Sequence, residues 1–301
     1  MTGFMTGFMT GPATGPTTGR PTAEILYLPR WRPHGSRVGA HRGRDAGGLG
    51  TYRDQVSFLS LPDARRIDMR ATLRDPFEGV HVRRFEARTA VEIWALVDLS
   101  GSMRYRGAAD RMMLARDLCT GLAASATRIG DGFGVIGCDA AIRADLYLPA
   151  TRRRGPALAT ADRLTRVPRR GSSAAGMLDA ARQLTGRPKL VFVISDFRWP
   201  ETLVGTVFGA LALHDTVPVL LADSAEDAGL PAWGLVELDD LEGGGRRLVF
   251  LRPSLRRRWL DRERERREEL RVAALAAGAR TPFVLADRFD ADALSRHLLA
   301  T

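Results

Sequence analysis

Lysine, cysteine and aromatic residues are all scarce in this chain of 301 residues. Lys189 is the only lysine, so the formal net charge of +10 comes almost entirely from arginine. The two cysteines match neither a metal-ligand spacing nor a disulfide framework, which favours a reduced, cytoplasmic protein. Aromatic residues make up 7% of the chain and do not interleave with the arginines, as a platform for stacking nucleic-acid bases would require.

Long apolar runs and several catalytic motifs are also missing. No run reaches the roughly 18 uncharged apolar residues that a membrane helix needs, so we predict no membrane span. The amino terminus lacks the basic start and apolar core of a secretory signal. Neither the G-x-x-x-x-G-K-[ST] loop of ATPases nor the G-x-S-x-G elbow of serine hydrolases occurs, so we expect no intrinsic catalytic activity.

The composition divides the chain into three zones. Residues 1–22 are a near-repeat of Thr, Gly and Pro with little apolar surface, for which we predict disorder. Residues 23–90 are rich in arginine, and we predict that they form a small β-rich extension. This zone has a strand pattern at 23–31, a glycine-rich loop at 39–50 and an edge-strand pattern at 79–88.

The third zone, residues 91–301, is predicted to be one α/β domain. Its apolar runs are long enough for strands covered on both faces, and helical patterns lie between them. This alternation is typical of a doubly wound, mainly parallel sheet with helices on both faces. The apolar runs are 91–98, 133–139, 189–196, 216–223 and 281–287, and the helices are predicted at 108–129, 156–166, 173–185, 201–213 and 255–277.

Each of these runs ends in an aspartate, and two of the aspartates have unusual surroundings. In doubly wound sheets, ligands bind at the carboxyl ends of the strands, beside the point where the strand order reverses. Asp98 opens the pattern Asp98-x-Ser100-x-Ser102, whose three side-chain oxygens can converge, and Asp196 ends a run expected to be central. One carboxylate and two hydroxyls suit a hard divalent ion such as Mg²⁺.

The pattern D-x-S-x-S, with a later hydroxyl loop and a later aspartate, resembles the metal-ion-dependent adhesion site of von Willebrand factor A domains. Ser172 is the choice for the hydroxyl loop, where that family usually has threonine, and Ser173 is the alternative. The resemblance implies a site for Mg²⁺, or for another divalent cation such as Mn²⁺. Its ligands would be Asp98, Ser100, Ser102, Ser172 and Asp196.

The stretch before Asp98 resembles a bacterial family of such domains, domain of unknown function fifty-eight. The resemblance rests on Arg66, Ile67 and Asp68, and on residues 82–86, which match the V-R-x-F-E pattern. Members are commonly encoded beside MoxR-type AAA+ ATPases and are thought to act with them in chaperone-like activation, which implies such a partner. Within the family, "RDAGGLGTYRDQVSF" is most similar to the MxaS-type member that accompanies methanol oxidation genes, which implies methanol dehydrogenase as the client.

Three classes of function compete for this sequence. An aspartyl-phosphate phosphatase would need a second carboxylate two residues after its nucleophile, and Ser100 occupies that position. An arginine-rich nucleic-acid-binding protein is the alternative, but the basic stretch 261–270 also carries many acidic residues and is predicted to be a solvated helix face. We therefore favour a metal-dependent protein-interaction adaptor. Asp223 and Asp287 are expected to be ordinary turn formers or helix caps.

Overall fold

The structure is a computed structural model, and it describes most of the chain. The predicted disordered leader, residues 1–22, lies outside the described residues. Within the described part, no helix is both long and apolar enough to cross a membrane. The described ranges are 24–33, 38–46, 52–105, 107–167, 173–224, 233–239 and 246–300.

The predicted β-rich extension is a three-stranded antiparallel sheet. Its strands β1 (Val38–Ala46), β2 (Tyr52–Ser57) and β3 (His81–Thr89) lie in the order β1-β3-β2, and helix α1 (Met69–Arg74) connects β2 to β3. Two details of the prediction were wrong. Strand β3 is the central strand of this sheet and not an edge strand. The glycine-rich segment 39–50, predicted as a loop, belongs to strand β1 as far as residue 46. Both depend on long-range pairing, which local sequence patterns do not reveal.

The strand predicted at residues 23–31 does not form. The described part of this segment, residues 24–31, has no regular secondary structure, and side chains of other elements bind its backbone. The N–H groups of Ile25 and Leu26 donate to the hydroxyls of Ser125 and Ser295, both at 2.9 Å. Ile25 and Tyr27 are buried, which explains the alternating pattern. The alternating apolar pattern of this segment therefore predicts correctly which side chains are buried, but it wrongly predicts that the backbone pairs as a strand.

A six-stranded sheet forms the centre of the remaining structure. Its strands are β4 (Glu92–Asp98), β5 (Gly132–Cys138), β6 (Ile142–Thr151), β7 (Leu190–Ser195), β8 (Asp215–Ala222) and β11 (Phe283–Ala286). Their order is β11-β8-β7-β4-β5-β6, and within this sheet only β6 runs antiparallel to its neighbour. A separate two-stranded hairpin is formed by β9 (Gly234–Asp239) and β10 (Arg246–Leu251). The predicted doubly wound, mainly parallel sheet is thus confirmed, whereas β6 and the hairpin were not predicted.

Helices cover both faces of this sheet. The helices are α2 (Arg111–Arg128), α3 (Arg154–Arg163), α4 (Gly176–Gln183), α5 (Glu201–Ala210), α6 (Pro253–Ala276) and α7 (Ala291–Leu299). Ile93 and Val97 of β4 pack in one apolar cluster with α2, α3 and α7, whereas Leu96 packs in a second cluster with α4, α5 and α6. Strand β4 is therefore buried on both faces, which explains its unbroken apolar run.

The strand order reverses between β4 and β7. From β4 the sheet continues through β5 to β6 on one side, and from β7 it continues through β8 to β11 on the other. Because β4 and β7 are parallel neighbours, their carboxyl ends lie side by side. Asp98 is the last residue of β4, and Asp196 directly follows β7. The topology therefore brings these two aspartates to the place where doubly wound sheets bind ligands.

Asp68 holds the elements of the extension together. Its carboxylate caps α1 by accepting from the N–H groups of Arg70 and Ala71, at 3.1 and 3.2 Å. It also accepts from the side chains of Gln55 and Arg83, both at 2.8 Å. The Arg83 guanidinium, and then the Ala71 N–H, hold the pKa of Asp68 at about 2. This residue of the family-like motif therefore has a structural role.

Replacing Asp68 with asparagine should lower the melting temperature at neutral pH by an amount that shrinks on acidification. Since the folded-state pKa is depressed, the ionised carboxylate stabilises the fold above the unfolded value of about 3.9, and this stabilisation is lost as the pH falls towards 2. Thermal melts of both proteins across this range measure the difference, with Asp162→Asn on the exposed side of α3 as the control. A difference that does not change with pH would contradict the assignment.

Candidate metal-binding site

Asp98 is completely buried at the end of β4. Its Oδ1 accepts from the N–H of Ser100 at 2.8 Å, and its Oδ2 accepts from the Ser195 hydroxyl at 2.5 Å and the Trp199 indole N–H at 2.8 Å. Burial, and then the nearby Asp196 carboxylate, raise the pKa of Asp98, and these three donors partly oppose the rise. All three donors are neutral, so a cation beside this carboxylate would favour its ionised form.

Ser100 and Ser102 connect the two aspartates, because the Ser100 N–H binds Asp98 and its hydroxyl contacts that of Ser102. The two hydroxyls lie 3.2 Å apart, and the Ser102 hydroxyl donates to Oδ1 of Asp196 at 3.1 Å. A 3₁₀ turn at Gly101–Arg104 follows the strand and bends the chain here. The structure thus brings four of the five predicted ligands into one buried cluster: Asp98, Ser100, Ser102 and Asp196.

The fifth predicted ligand, Ser172, lies outside the described residues. Its alternative, Ser173, is described, and its hydroxyl accepts a hydrogen bond from the N–H of Ala175 at 3.1 Å. This local turn directly precedes α4. The hydroxyl supplied by this loop therefore remains a prediction.

A buried arginine that the sequence analysis missed completes the cluster. Arg111, the first residue of α2, is 1% exposed and donates to Oδ2 of Asp196 and to the carbonyl of Ser102, both at 2.8 Å. Its guanidinium carbon lies 5.0 Å from the centre of the Tyr105 ring. The guanidinium balances the charge of Asp196, whereas Asp98 has only neutral donors. Arg111 could have been found from the sequence, because it is a charged residue at the start of the helical stripe formed by the apolar residues Leu114, Leu118 and Leu122.

Helix α6 is joined to the loop after β7. Arg266 donates to the carbonyls of Asp196 and Phe197 at 2.7 and 3.1 Å, and it pairs with Glu263. Arg198 lies 3.7 Å from the Glu263 carboxylate and the same distance from that of Asp196. Glu263 is only 9% exposed, so the prediction that residues 261–270 form a solvated face was wrong at this position. The helical pattern of charges gave no sign that a loop would pack there.

Other aspartates at this edge of the sheet bind backbone groups. Asp223 accepts from the N–H groups of Ala108 and Ala109 at 3.0 and 3.2 Å, and Asp287 accepts from the N–H of Ser224 at 2.9 Å. A Cβ atom at Gly107 would lie 2.5 Å from the Asp223 carboxylate, so glycine permits this close approach. Both aspartates thus accept from backbone groups that are distant in the sequence, whereas the sequence analysis predicted local turn formers or helix caps.

The cluster at Asp98 and Asp196 has the chemistry that a hard divalent cation requires. Its donors are two carboxylates and two hydroxyls, and Mg²⁺ and Mn²⁺ prefer oxygen ligands of this kind. No group of three or more His, Cys, Asp and Glu side chains is placed to hold a metal in the part of the chain that the structure describes. A site here would therefore depend on the serine hydroxyls.

A comparison with protein families decides the classification. The model of the family described as "Protein of unknown function DUF58" matches residues 62–269, which is more than half of the chain. The chain belongs to the DUF58 family. The matched region of this DUF58 protein contains Asp68, the whole of β4 and both aspartates of the candidate site. The family predicted from the residues before Asp98 is confirmed.

Individual relatives of this DUF58 chain are distant. The uncharacterized protein Rv1480 of Mycobacterium tuberculosis is 29% identical over 201 residues, covering 64% of this chain and 61% of its own length. The match thus covers about three-fifths of the length of the first curated relatives. An uncharacterized protein in the moxR 3′ region of Paracoccus denitrificans is 38% identical over 86 residues, 27% of this chain and 78% of that protein. The BatB structure from Bacteroides thetaiotaomicron is 15% identical with a TM-score of 0.46, over 69% of this chain and 97% of that one.

Proposed function

We propose that this DUF58 chain is a metal-dependent protein-interaction adaptor that works with a MoxR-type AAA+ ATPase. The observation that carries the proposal is the meeting of Asp98 and Asp196 with two serine hydroxyls at the strand reversal. The relative from a moxR 3′ region supports the choice of ATPase. The pair would mature or activate another enzyme, and methanol dehydrogenase is the client we propose.

The residues determine what kind of partner group the site would bind. The ion would be Mg²⁺ or Mn²⁺, held by Asp98, Ser100, Ser102 and Asp196, with Ser172 as the proposed fifth ligand. The bound ion would supply a coordination position for a carboxylate of the partner. The serine hydroxyls are neutral, and Arg111 already balances Asp196. The protein's negative charge at the site is therefore confined to Asp98, and the loaded site would attract an anionic side chain.

The structure offers less support for the alternative of nucleic-acid binding. Along the basic part of α6, arginines pair with acidic residues of the same helix. Such internal pairing reduces the positive charge available to phosphates. The pairs are Arg264 with Asp261, Arg266 with Glu263, and Arg271 with Glu268.

Capture of an AAA+ ATPase from a lysate of the native host tests the adaptor function. The immobilised chain should retain the ATPase in millimolar Mg²⁺ or Mn²⁺ and release most of it in EDTA, as measured by mass spectrometry. The double substitution Ser100→Ala and Ser102→Ala should reduce capture about tenfold, since a hydroxyl that binds a metal cannot be replaced by a methyl group. Asp261→Ala, on the exposed side of α6, is the matched control and should capture normally.

Two results would refute this function. The first is equal retention of the ATPase in Mg²⁺ and in EDTA. The second is a serine double variant that binds Mn²⁺ poorly but still captures the ATPase as the wild type does, because the metal would then have no part in the contact.

A further inference from the structure

A cavity of about 920 Å³ opens at the amino-terminal edge of the six-stranded sheet. Its wall includes Glu92 and Gly132, which begin β4 and β5, Thr151, which ends the antiparallel strand β6, and Lys189, which precedes β7. Asp98 lies at the other end of β4. The cavity and the candidate metal site therefore occupy opposite edges of the same sheet.

The cavity is lined by basic side chains. Among the lining residues that the structure describes, four are basic: Arg152, Arg153, Arg187 and Lys189. The same lining contains one carboxylate, that of Glu92. The three arginines are exposed, whereas Lys189 is 8% exposed and donates to two backbone carbonyls at 2.6 and 2.9 Å. An excess of positive charge in a concave surface concentrates anions there.

The start of a helix at the rim also favours an anionic ligand. Helix α3 begins there, and its N-cap residue, Arg153, provides no side-chain cap. The N–H groups at a helix start, together with the helix dipole, favour phosphate groups. Because Pro156 has no N–H group, the first three residues of α3 offer the N–H groups of Arg154 and Gly155.

The rest of the wall is apolar and includes one aromatic ring. Trp31 lines the cavity together with Pro33, Val91 and Pro188, and it packs partly against the core. The volume lies within the range of roughly 300–1,000 Å³ that is usual for small-molecule sites. A ring beside several guanidinium groups suits a ligand that combines a planar base with phosphates.

We propose that this cavity binds a nucleotide. The phosphates would lie against Arg152, Arg187 and the start of α3, and the base would lie against Trp31. The metal site shares none of these residues, so the nucleotide site and the proposed adaptor function can each fail without the other.

Isothermal titration calorimetry of the full chain with ADP, in EDTA to keep the metal site out of the measurement, tests the proposal. We expect saturable binding of one ADP per chain, with pyrophosphate and adenosine each binding at least tenfold more weakly. The double substitution Arg152→Ala and Arg187→Ala should weaken ADP binding at least tenfold. Both side chains are exposed, so the melting temperature should be unchanged.

Two more variants separate the nucleotide from a simple anion. Trp31→Leu should weaken the binding of ADP at least fivefold and leave that of pyrophosphate unchanged. Arg257→Ala with Arg258→Ala, on the exposed surface of α6, removes the same charge elsewhere and should leave ADP binding within twofold. The proposal is overturned if ADP binding is not saturable, or if the two arginine double variants lose equal amounts of ADP affinity. It is also overturned if the wild type binds pyrophosphate as tightly as ADP, or binds a polyglutamate peptide more tightly than ADP.

Discussion

Asp98→Asn is expected to weaken the binding of Mn²⁺ and Mg²⁺ by at least about 100-fold, because loss of a residue that merely supports a metal ligand already costs ~10–100-fold. Asp98 should have the larger effect of the two aspartates. Its hydrogen-bond donors are neutral, whereas Asp196 is already paired with Arg111. The asparagine keeps a carbonyl oxygen that Ser195 and Trp199 can use, so the fold should persist.

Titration of the two proteins with Mn²⁺, followed by electron paramagnetic resonance, measures this effect. Asp139→Asn is the matched control, because Asp139 follows the neighbouring strand β5 and its carboxylate binds Arg143 at 3.2 Å and the Ala141 N–H at 3.3 Å. The control should bind Mn²⁺ as the wild type does. Unchanged affinity in Asp98→Asn would remove Asp98 from the ligand set. Should that variant unfold, the double variant Ser100→Ala and Ser102→Ala provides the same test.

Arg280→Met is expected to lower the free energy of unfolding by about 3–5 kcal/mol, the usual cost of breaking a buried ion pair by removing one partner. Arg280 is 2% exposed and donates to both carboxylate oxygens of Asp215, at 2.8 and 2.7 Å. It also donates to the carbonyls of Leu298 and Leu28, at 2.6 and 2.7 Å. One guanidinium thus joins β8, α7 and the amino-terminal segment, and its loss leaves a buried carboxylate without a counter-charge.

Urea denaturation compares this variant with Arg271→Met, which breaks an exposed pair with Glu268. The control should change the unfolding free energy by no more than about 0.5 kcal/mol, as is typical of surface pairs. Adding Asp215→Asn to Arg280→Met should recover part of the loss, since the unpaired charge disappears. A loss in Arg280→Met that is no larger than in the control would show that the buried pair does not stabilise the fold.

The pattern of apolar residues determined most of the central architecture. Five apolar runs predicted the five parallel strands. Four of these strands, β4, β5, β7 and β8, are buried along almost their whole length, and such strands are mostly apolar. Each predicted helix of this domain also formed, at 111–128, 154–163, 176–183, 201–210 and 253–276. The last helix of the described residues, α7, and strand β6 were missed, because α7 has only nine residues and β6 is largely exposed or half-buried.

The sequence alone also identified Asp98 and Asp196 as exceptional, because the two serines that follow Asp98 and the central position expected for the run that ends at Asp196 can be recognised from local sequence patterns. Their neighbours were decided only by the tertiary structure. Arg111 and Trp199 reach the site through packing of α2 and of the loop after β7, and Glu263 is buried because α6 covers that loop. Residues far apart in the chain become partners when strands pair over long distances and helices pack on them, and no local pattern encodes which ones will meet.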